Sequence, residues 1–374
     1  MHQAAALYGF AEAYLVTGDD SWLRHAESIH RYASSFMQHA DGTWYATQED
    51  AAPSLPQGMD AIGYYALPDE ERRRYGIPPI DHGVYTDLNG LMIRAYARLY
   101  EATRDERFLR EATRAAHALL GARQLPSGAM RQSDEDRMGS AGERMRSYEI
   151  NASGRVYLKA QPYFGLALSA LYRSTGEARY LEASRGLGDA LLAVLEDRAG
   201  DDAGGFFATT GTDTDGLIPR EKPFYDNVAA GRFLLALAVD AHEPRYREAA
   251  RRALAAVAVA GARSRRGARL AELALALEGL SLGPVEFSVV TTDPSADDAR
   301  ALFSAGVGVY EPRKALHYEA PGRYPDLGRA AVFVCTDNTC SSPVFDPGEL
   351  RETAAHLGLA APGSACGPRE GAAP

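Results

Sequence analysis

One short pattern occurs four times along the first three-quarters of the chain. It reads AEAYLVTGDDSWLRHA ending at Ala26, ARLYEATRDERFLREA ending at Ala112, SALYRSTGEARYLEAS ending at Ser184 and LLALAVDAHEPRYREAA ending at Ala250. Each copy runs an apolar-periodic segment into a short polar turn and restarts just before an aromatic, which is Trp22, Phe108, Tyr180 and Tyr246 in turn. Apolar residues recur at i, i+3, i+4 and i+7 through 91–100 and 164–171, the period of a helix with a buried face. The pattern predicts a helical hairpin repeated along the chain, and such a chain can bury its apolar faces only by packing hairpin on hairpin. Thr17, Thr103 and Thr175 occupy the turn, with Ala241 in the fourth copy. The aromatic after each turn is expected to pack back on the partner helix.

The first helices of the pairs are rich in Ala and Gly and apolar on most faces, which suits an inner position. The second helices carry Arg and Glu at helical spacing (Arg107–Glu111, Glu248–Arg252), which suits an outer, wet face. The copies are unevenly spaced, so a tight solenoid of fixed short period fits poorly. A toroid whose hairpins are joined by long loops gathered at one end fits better. Those loops, 41–87, 124–159 and 197–226, hold most of the Gly, Pro and paired aromatics outside the tail. A single further helix over 268–280 closes the series.

Beyond Gly283-Pro284 the texture changes. Residues 285–291 alternate as a strand, 297–304 fit a helix, and 330–335 form a second short strand. Residues 347–357 read as a terminal helix with Asp346 as N-cap and Pro347 at its first position. The expected class is mainly α. An α/α-hairpin toroid spans 1–283, a small α/β appendage spans 284–360, and a Gly-, Pro- and Ala-rich tail, expected to be disordered, spans 361–374.

Forty basic against fifty acidic residues give a formal charge of −10, which argues against a nucleic-acid partner and against an anionic membrane surface. With 46% hydrophobic and 24% charged residues the composition is that of a globular protein. The longest apolar runs, 229–239 and 253–262, fall short of a bilayer span. No basic-then-apolar signal opens the sequence and its three cysteines are an odd number, so a cytoplasmic location is expected.

Three motifs occur in order: DLNGLMIRAYARLYEATRDERFL from Asp87, GGFFATT from Gly204 followed by PREKPFYDNVAAGRFLLAL, and AVFVCTDNTCSSPVFDPGEL from Ala331. Together they resemble the helical and C-terminal parts of a thioredoxin-domain-containing family that includes the animal spermatogenesis-associated thioredoxin-like protein and bacterial relatives. The resemblance runs over 8–357, and its cysteine-bearing motif is the most specific part. It implies a six-hairpin toroid similar to N-acylglucosamine 2-epimerases and six-hairpin glycosidases, with a thioredoxin-like domain or chain as partner. The sequence also departs from the family. It holds no thioredoxin-like segment with a redox Cys-x-x-Cys, and Leu88 stands where the family has Trp before Asn-Gly. The stretch Lys159-Ala160-Gln161-Pro162-Tyr163 carries no carboxylate where relatives tend to have one, so a glycosidase-style acid is missing there.

Toroid enzymes of this shape work at the loop-lined mouth, where the inner helices begin. Two facing carboxylates, or a histidine pair, supply acid/base catalysis on a sugar at such a place. The catalytic candidates are Asp87, Asp226, Glu49 and His82, with Asp60 a further loop acid. Taken singly, Asp87 and Asp226 are each first read as helix N-caps. Their shared placement at inner-helix starts predicts a cluster at one mouth. Asp50, Asn89 and Asn227 are candidates for ligand binding, and Trp44, Tyr85, Tyr163, Phe206 and Tyr225 for stacking on a pyranose. The competing role for these aromatics, and for Tyr45, Tyr64, Tyr65, Tyr148 and Phe207, is to wall the interior.

His25, His30, His39 and His117 fall on or near outer helices, which argues against an epimerase with mouth histidines. Cys335 and Cys340 are expected to be two small thiols packed in a strand-loop turn. Their gap is wrong for a redox pair, and Cys366, His317 and His356 lie at no recognised zinc spacing. No metal or cofactor is expected.

The chain is thus expected to bind, and in one reading to process, a carbohydrate or polyol at the mouth. The rival reading is a non-catalytic binding or scaffold module separated from a thioredoxin-like partner. Six hairpins with their loops need more than roughly 300 residues. Four pairs and one helix therefore predict an incomplete (α/α)6 toroid lacking its first hairpins, open, with an exposed apolar edge near residues 4–15 and a tendency to self-associate.

Overall fold

The structure, a computed structural model, describes residues 2–50, 52, 54–133, 155–199, 203–211, 221–262 and 270–357. The four hairpins are present. The first pairs α1 (His2–Thr17) with α2 (Asp20–Phe36), and two short helices, α3 (Ala61–Ala66) and α4 (Asp69–Arg73), follow in the first long loop. The next hairpins pair α5 (Thr86–Thr103) with α6 (Glu106–Arg123), α7 (Ala160–Thr175) with α8 (Ala178–Val194), and α9 (Phe224–Asp240) with α10 (Pro244–Ala262). Helix α11 (Ala271–Ser281) is the last helix of this series. The inner helices contact one another in the succession α1, α5, α7, α9, α11, and the first four also pack on their own outer partners. In the first long loop, β1 (Thr47–Gln48) pairs antiparallel with β2 (Ile80–Asp81).

The repeated threonine has a local cause. Thr17, Thr103 and Thr175 donate to the carbonyls of Ala13, Leu99 and Leu171 at 2.7, 2.7 and 2.8 Å. Each also accepts from the backbone N–H two residues on, at 3.2 Å in all three copies. One hydroxyl thereby satisfies an end carbonyl of the inner helix and a donor of the turn. The chain reverses through a left-handed residue, Gly18, Arg104, Gly176 or His242.

The aromatics after the turns do more than pin their own hairpins. Trp22 stacks on Phe10 of its partner helix, and Phe108 lies against Tyr96 of α5. Phe108 also meets His30 of the preceding outer helix edge-on. The Tyr180 ring stacks on His117 of α6, with its hydroxyl 3.1 Å from Nε2, and the Tyr246 hydroxyl donates to Asp189 of α8 at 2.8 Å. Phe108, Tyr180 and Tyr246 therefore join each outer helix to the one before it.

The α/β unit is a three-stranded sheet of order β4-β3-β5. Strand β3 (Val285–Val290) runs parallel to β4 (Lys314–Glu319) and antiparallel to β5 (Ala331–Cys335), and α12 (Asp297–Val307) makes the crossover. Strand β4 escapes sequence reading because Lys314 and His317 are buried in it and break the apolar pattern. Lys314 Nζ donates to the carbonyls of Gly306, Val307 and Val309 at the end of α12. The unit shares one apolar cluster with the toroid, from Ala4 through Phe164 and Phe287 to Ala354. Arg173 of α7 donates to the Lys314 carbonyl at 3.0 Å, and Arg98 of α5 lies over the Tyr310 ring.

Four expectations are corrected. The terminal helix, α13 (Leu350–His356), begins later than predicted, because Asp346 caps a preceding turn through Gly348 N–H rather than the helix itself. Cys335 and Cys340 are joined by a disulfide rather than left as two thiols. The two residues face each other as an antiparallel bridge across the tight turn at Thr336–Thr339, which puts their Cα atoms 4.1 Å apart. The expected apolar edge on α1 is absent, because Ala4, Leu7, Ala11 and Leu15 are buried. Exposed leucines lie instead on and after α11, at Leu275, Leu277 and Leu282. The first long loop, expected only as a loop over 41–87, holds α3, α4 and the β1–β2 ribbon.

Among the described residues, no helix is long and apolar enough to cross a membrane. Tyr148, Cys366 and the predicted tail 361–374 lie outside the described residues.

Candidate functional site

Three of the inner helices, α5, α7 and α9, have their beginnings fixed by the same device. Asn89 accepts from Trp44 N–H at 2.7 Å and donates to the Trp44 and Tyr85 carbonyls. Gln161 does the same with Met130 and Tyr157, and Asn227 with Phe206 and Pro223. All three side chains are fully buried. Each carboxamide imitates a strand neighbour, holding the loop that returns from the previous hairpin to the first turn of the next inner helix. Asn89 and Asn227 are therefore structural and not ligand contacts. Both amide hydrogens of each are spent on backbone carbonyls, the oxygen accepts a loop N–H, and the side chains are closed off from solvent. Trp44 and Phe206, buried in the gripped loops, are wall residues, with Trp44 stacked on Tyr96 at 5.0 Å.

A cluster forms just beside these clamps. Asp87 lies in the first turn of α5, and Asp226 in the first turn of α9. Neither is the N-cap, since the cap positions are Tyr85 and Pro223. Asp87 Oδ1 accepts from Leu88 N–H at 2.8 Å and from Gln132 Nε2 at 2.7 Å, while Oδ2 is 4.0 Å from Lys159 Nζ. Gln132 is held by the buried Arg123, which donates to its carbonyl and to that of Val84.

Close approach of α5 and α7 makes this possible. A methyl group at Gly90 would come within 2.6 Å of the Tyr163 backbone. Only glycine lets the helices cross there and brings Lys159 and Tyr163 beside Asp87.

Asp226 is the perturbed group of the cluster. Burial pushes its pKa up to about 6, Lys159 opposes the rise, and Asp87 and Glu221 add to it. Tyr163, half-buried between the two aspartates and Arg232, is also pushed up, first by burial and then by Asp226 and Asp87. Tyr85 stands beside Asp81 and Asp87, and its buried hydroxyl has no hydrogen-bond partner among the described residues. The mouth thus gathers Asp87, Asp226, Lys159, Tyr163 and Tyr85. A carboxyl that holds its proton close to neutral pH, beside a second carboxylate and an ammonium, can donate and recover a proton.

The other candidates lie elsewhere. Glu49 and Asp50 are exposed after β1, Asp50 acting on Tyr65, and neither is among the groups acting on Asp226. His82 is exposed, with its ring edge-on to Tyr45 at 4.6 Å. Asp60 caps α3 through Gly63 N–H. Tyr225 is exposed at the start of α9, its ring edge-on to Phe224.

Lys159, Gln132, Glu221 and Gln161 were missed by sequence reading. Lys159 and Gln161 had a signal, since they stand at the start of the third inner helix as Asp87 and Asn89 do in the second. Among the described residues, no group of three or more His, Cys, Asp or Glu is placed to hold a metal ion.

No protein-family model matches the chain, and no curated protein matches it. Solved structures do. A sugar epimerase from a ruminal bacterium superposes with a TM-score of 0.51 at 14% identity, over 68% of this chain and 59% of its own. Cellobiose 2-epimerase from Bacillus thermoamylovorans gives 0.49 at 11% identity, over 69% and 59%. A glycoside hydrolase family 76 mannosidase from Bacteroides thetaiotaomicron gives 0.48 at 13%, over 95% and 84%. The chain spans 59% of the length of the first of these structures. The fold is a mainly α toroid of the six-hairpin glycosidase-like type.

Proposed function

We propose that the mouth binds a sugar or polyol and acts on it by proton transfer. Asp226 is the proton donor, Asp87 the anchored carboxylate, and Lys159 and Tyr163 bind hydroxyl groups. The observation that carries this reading is the convergence of Asp87 and Asp226, each in the first turn of an inner helix, on Lys159, 4.0 Å from Asp87, and on Tyr163; the raised pKa of Asp226 supports it. The shared fold with a sugar epimerase supports the ligand class.

Calorimetric titration of the full chain with a panel of mono- and disaccharides, with product analysis, tests it. Binding that weakens about tenfold in Asp87→Asn, and turnover that falls by roughly 10²–10⁴ in Asp226→Asn, is the expected result. Sugar binding and turnover that both variants leave unchanged would refute it.

A binding module without turnover is favoured by one observation. Of the histidines weighed in the sequence, His30 of α2 is engaged with Tyr96 of α5, His117 of α6 with Tyr180 of α8, and His82 lies exposed against Tyr45. Saturable binding without product for any sugar bound would select that reading.

A further inference from the structure

Below the mouth, the toroid's interior changes sign. The less buried residues of the inner helices fall on single stripes: Leu91, Arg94 and Arg98 on α5, Tyr163, Leu166 and Arg173 on α7. Spacings of three and four keep such residues on one helix face. A cavity of about 240 Å³ brings three of these helices together, with Arg94 on α5, Arg173 on α7 and Arg232 on α9 in its wall.

The arginines are not equally satisfied. Arg173 pairs with Asp240 at 2.7 Å, and Arg313 with Glu311. Arg247 donates to the carbonyls of Gly279 and Leu280 at the end of α11. Arg232 pairs with the exposed Glu272. Arg94 has no carboxylate partner among the described residues; it reaches only the Tyr8 hydroxyl at 3.2 Å and lies over that ring. Glu278, also on the cavity wall, is exposed and pairs with none of them among the described residues.

Arg94 nevertheless stands close enough to Arg232 to act on it. Burial, and next the Arg94 charge, bring the Arg232 pKa down to about 10. The exposed Glu272 pairs with Arg232 alone, and Glu12, which also acts on Arg232, is paired with Arg98; Arg94 and Arg232 share the wall of one cavity. Each presents a planar fork of donors that matches the oxygens of a carboxylate or phosphate.

We propose that Arg94 and Arg232 form an oxyanion site inside the toroid, and that it receives the carboxylate or phosphate group of an acidic sugar held at the mouth. Arg94 lies two helical turns below Asp87 on the same face, about 10 Å along α5 at 1.5 Å per residue. Tyr163 bridges the two levels, since both Asp226 and Arg232 act on it. The anion site stands on its own geometry. Only the assignment of the anion to a sugar rests on the mouth reading above.

The test is calorimetric titration of the full chain with inorganic phosphate and, separately, acetate. Saturable binding of at least one, weakened tenfold or more in Arg94→Gln, partly restored in Arg94→Lys and unchanged in Asp226→Asn, is expected. No saturable binding of either anion, or equal binding by Arg94→Gln, overturns the site. Glucose, glucuronate and glucose 6-phosphate then identify the source. Whichever acid binds tenfold more tightly than glucose, with the preference lost in Arg94→Gln, names the group. Phosphate binding through Arg94 in a chain that binds none of these sugars would overturn the assignment to an acidic sugar and leave the anion site standing.

Discussion

The Asn227 side chain and the Phe206 backbone are joined by two hydrogen bonds, 2.7 Å into Oδ1 and 3.0 Å from Nδ2. With the third bond to the Pro223 carbonyl, this carboxamide closes a loop onto the start of α9 as Asn89 and Gln161 do in the two preceding copies. Removing it strands the buried Phe206 N–H and carbonyl, while the Pro223 carbonyl keeps its bond from the backbone N–H of residue 227. Asn227→Ala is therefore expected to lower stability by about 2–4 kcal/mol, read as a shifted midpoint in urea unfolding. A side chain that served a ligand would instead spare stability and cost only binding.

Gly90 sets how closely α5 and α7 approach. Its absent side chain would fall 2.6 Å from backbone atoms that cannot swing aside. Gly90→Ala is expected to cost about 2–3 kcal/mol as an overpacked crossing. It is also expected to weaken sugar binding at the mouth, because Lys159 and Tyr163 move away from Asp87. Unfolding and titration on the same preparation check both effects.

Much of this architecture was legible in the sequence. The turn threonines, the aromatics after them and the apolar period of the inner helices all report local chemistry, so four hairpins and a lone helix could be located. The site was legible only in part. Asp87 and Asp226 were found because each opens an inner helix, but Asn89 and Asn227 carry equally polar side chains that fold back on the backbone. Nothing in their sequence spacing separates a ligand contact from a loop clamp. Glu49 and His82 failed for a related reason. A long loop has no period, so position along it does not say which residues reach the mouth. The Cys335–Cys340 bond was missed because pairing depends on a turn geometry that spacing alone does not fix.

Asp226 also gives a pH dependence of definite sign. Its folded-state pKa, about 6, lies above the ordinary aspartate value of 3.8, so the folded chain binds the proton more tightly. The stabilisation is complete below pH 4 and is lost as pH rises through 6. Asp226→Asn is expected to be more stable than the parent at pH 8 by up to about 3 kcal/mol, less what solvent screening removes, and about equal to it at pH 4. Thermal unfolding of both proteins at the two pH values measures the difference. A parent chain that gains stability relative to the variant between pH 4 and 8 would have Asp226 shifted the other way.

The most direct test of the mouth as the functional site is a crystal structure of the chain with a bound sugar. The ligand is expected in contact with Asp226, Asp87 and Tyr163, its acidic group directed toward Arg94. The first long loop offers a competing place, a cleft of about 510 Å³ lined by Tyr32, Tyr64 and Tyr65. A sugar seated there, with the Asp87–Asp226 mouth empty, would contradict the account.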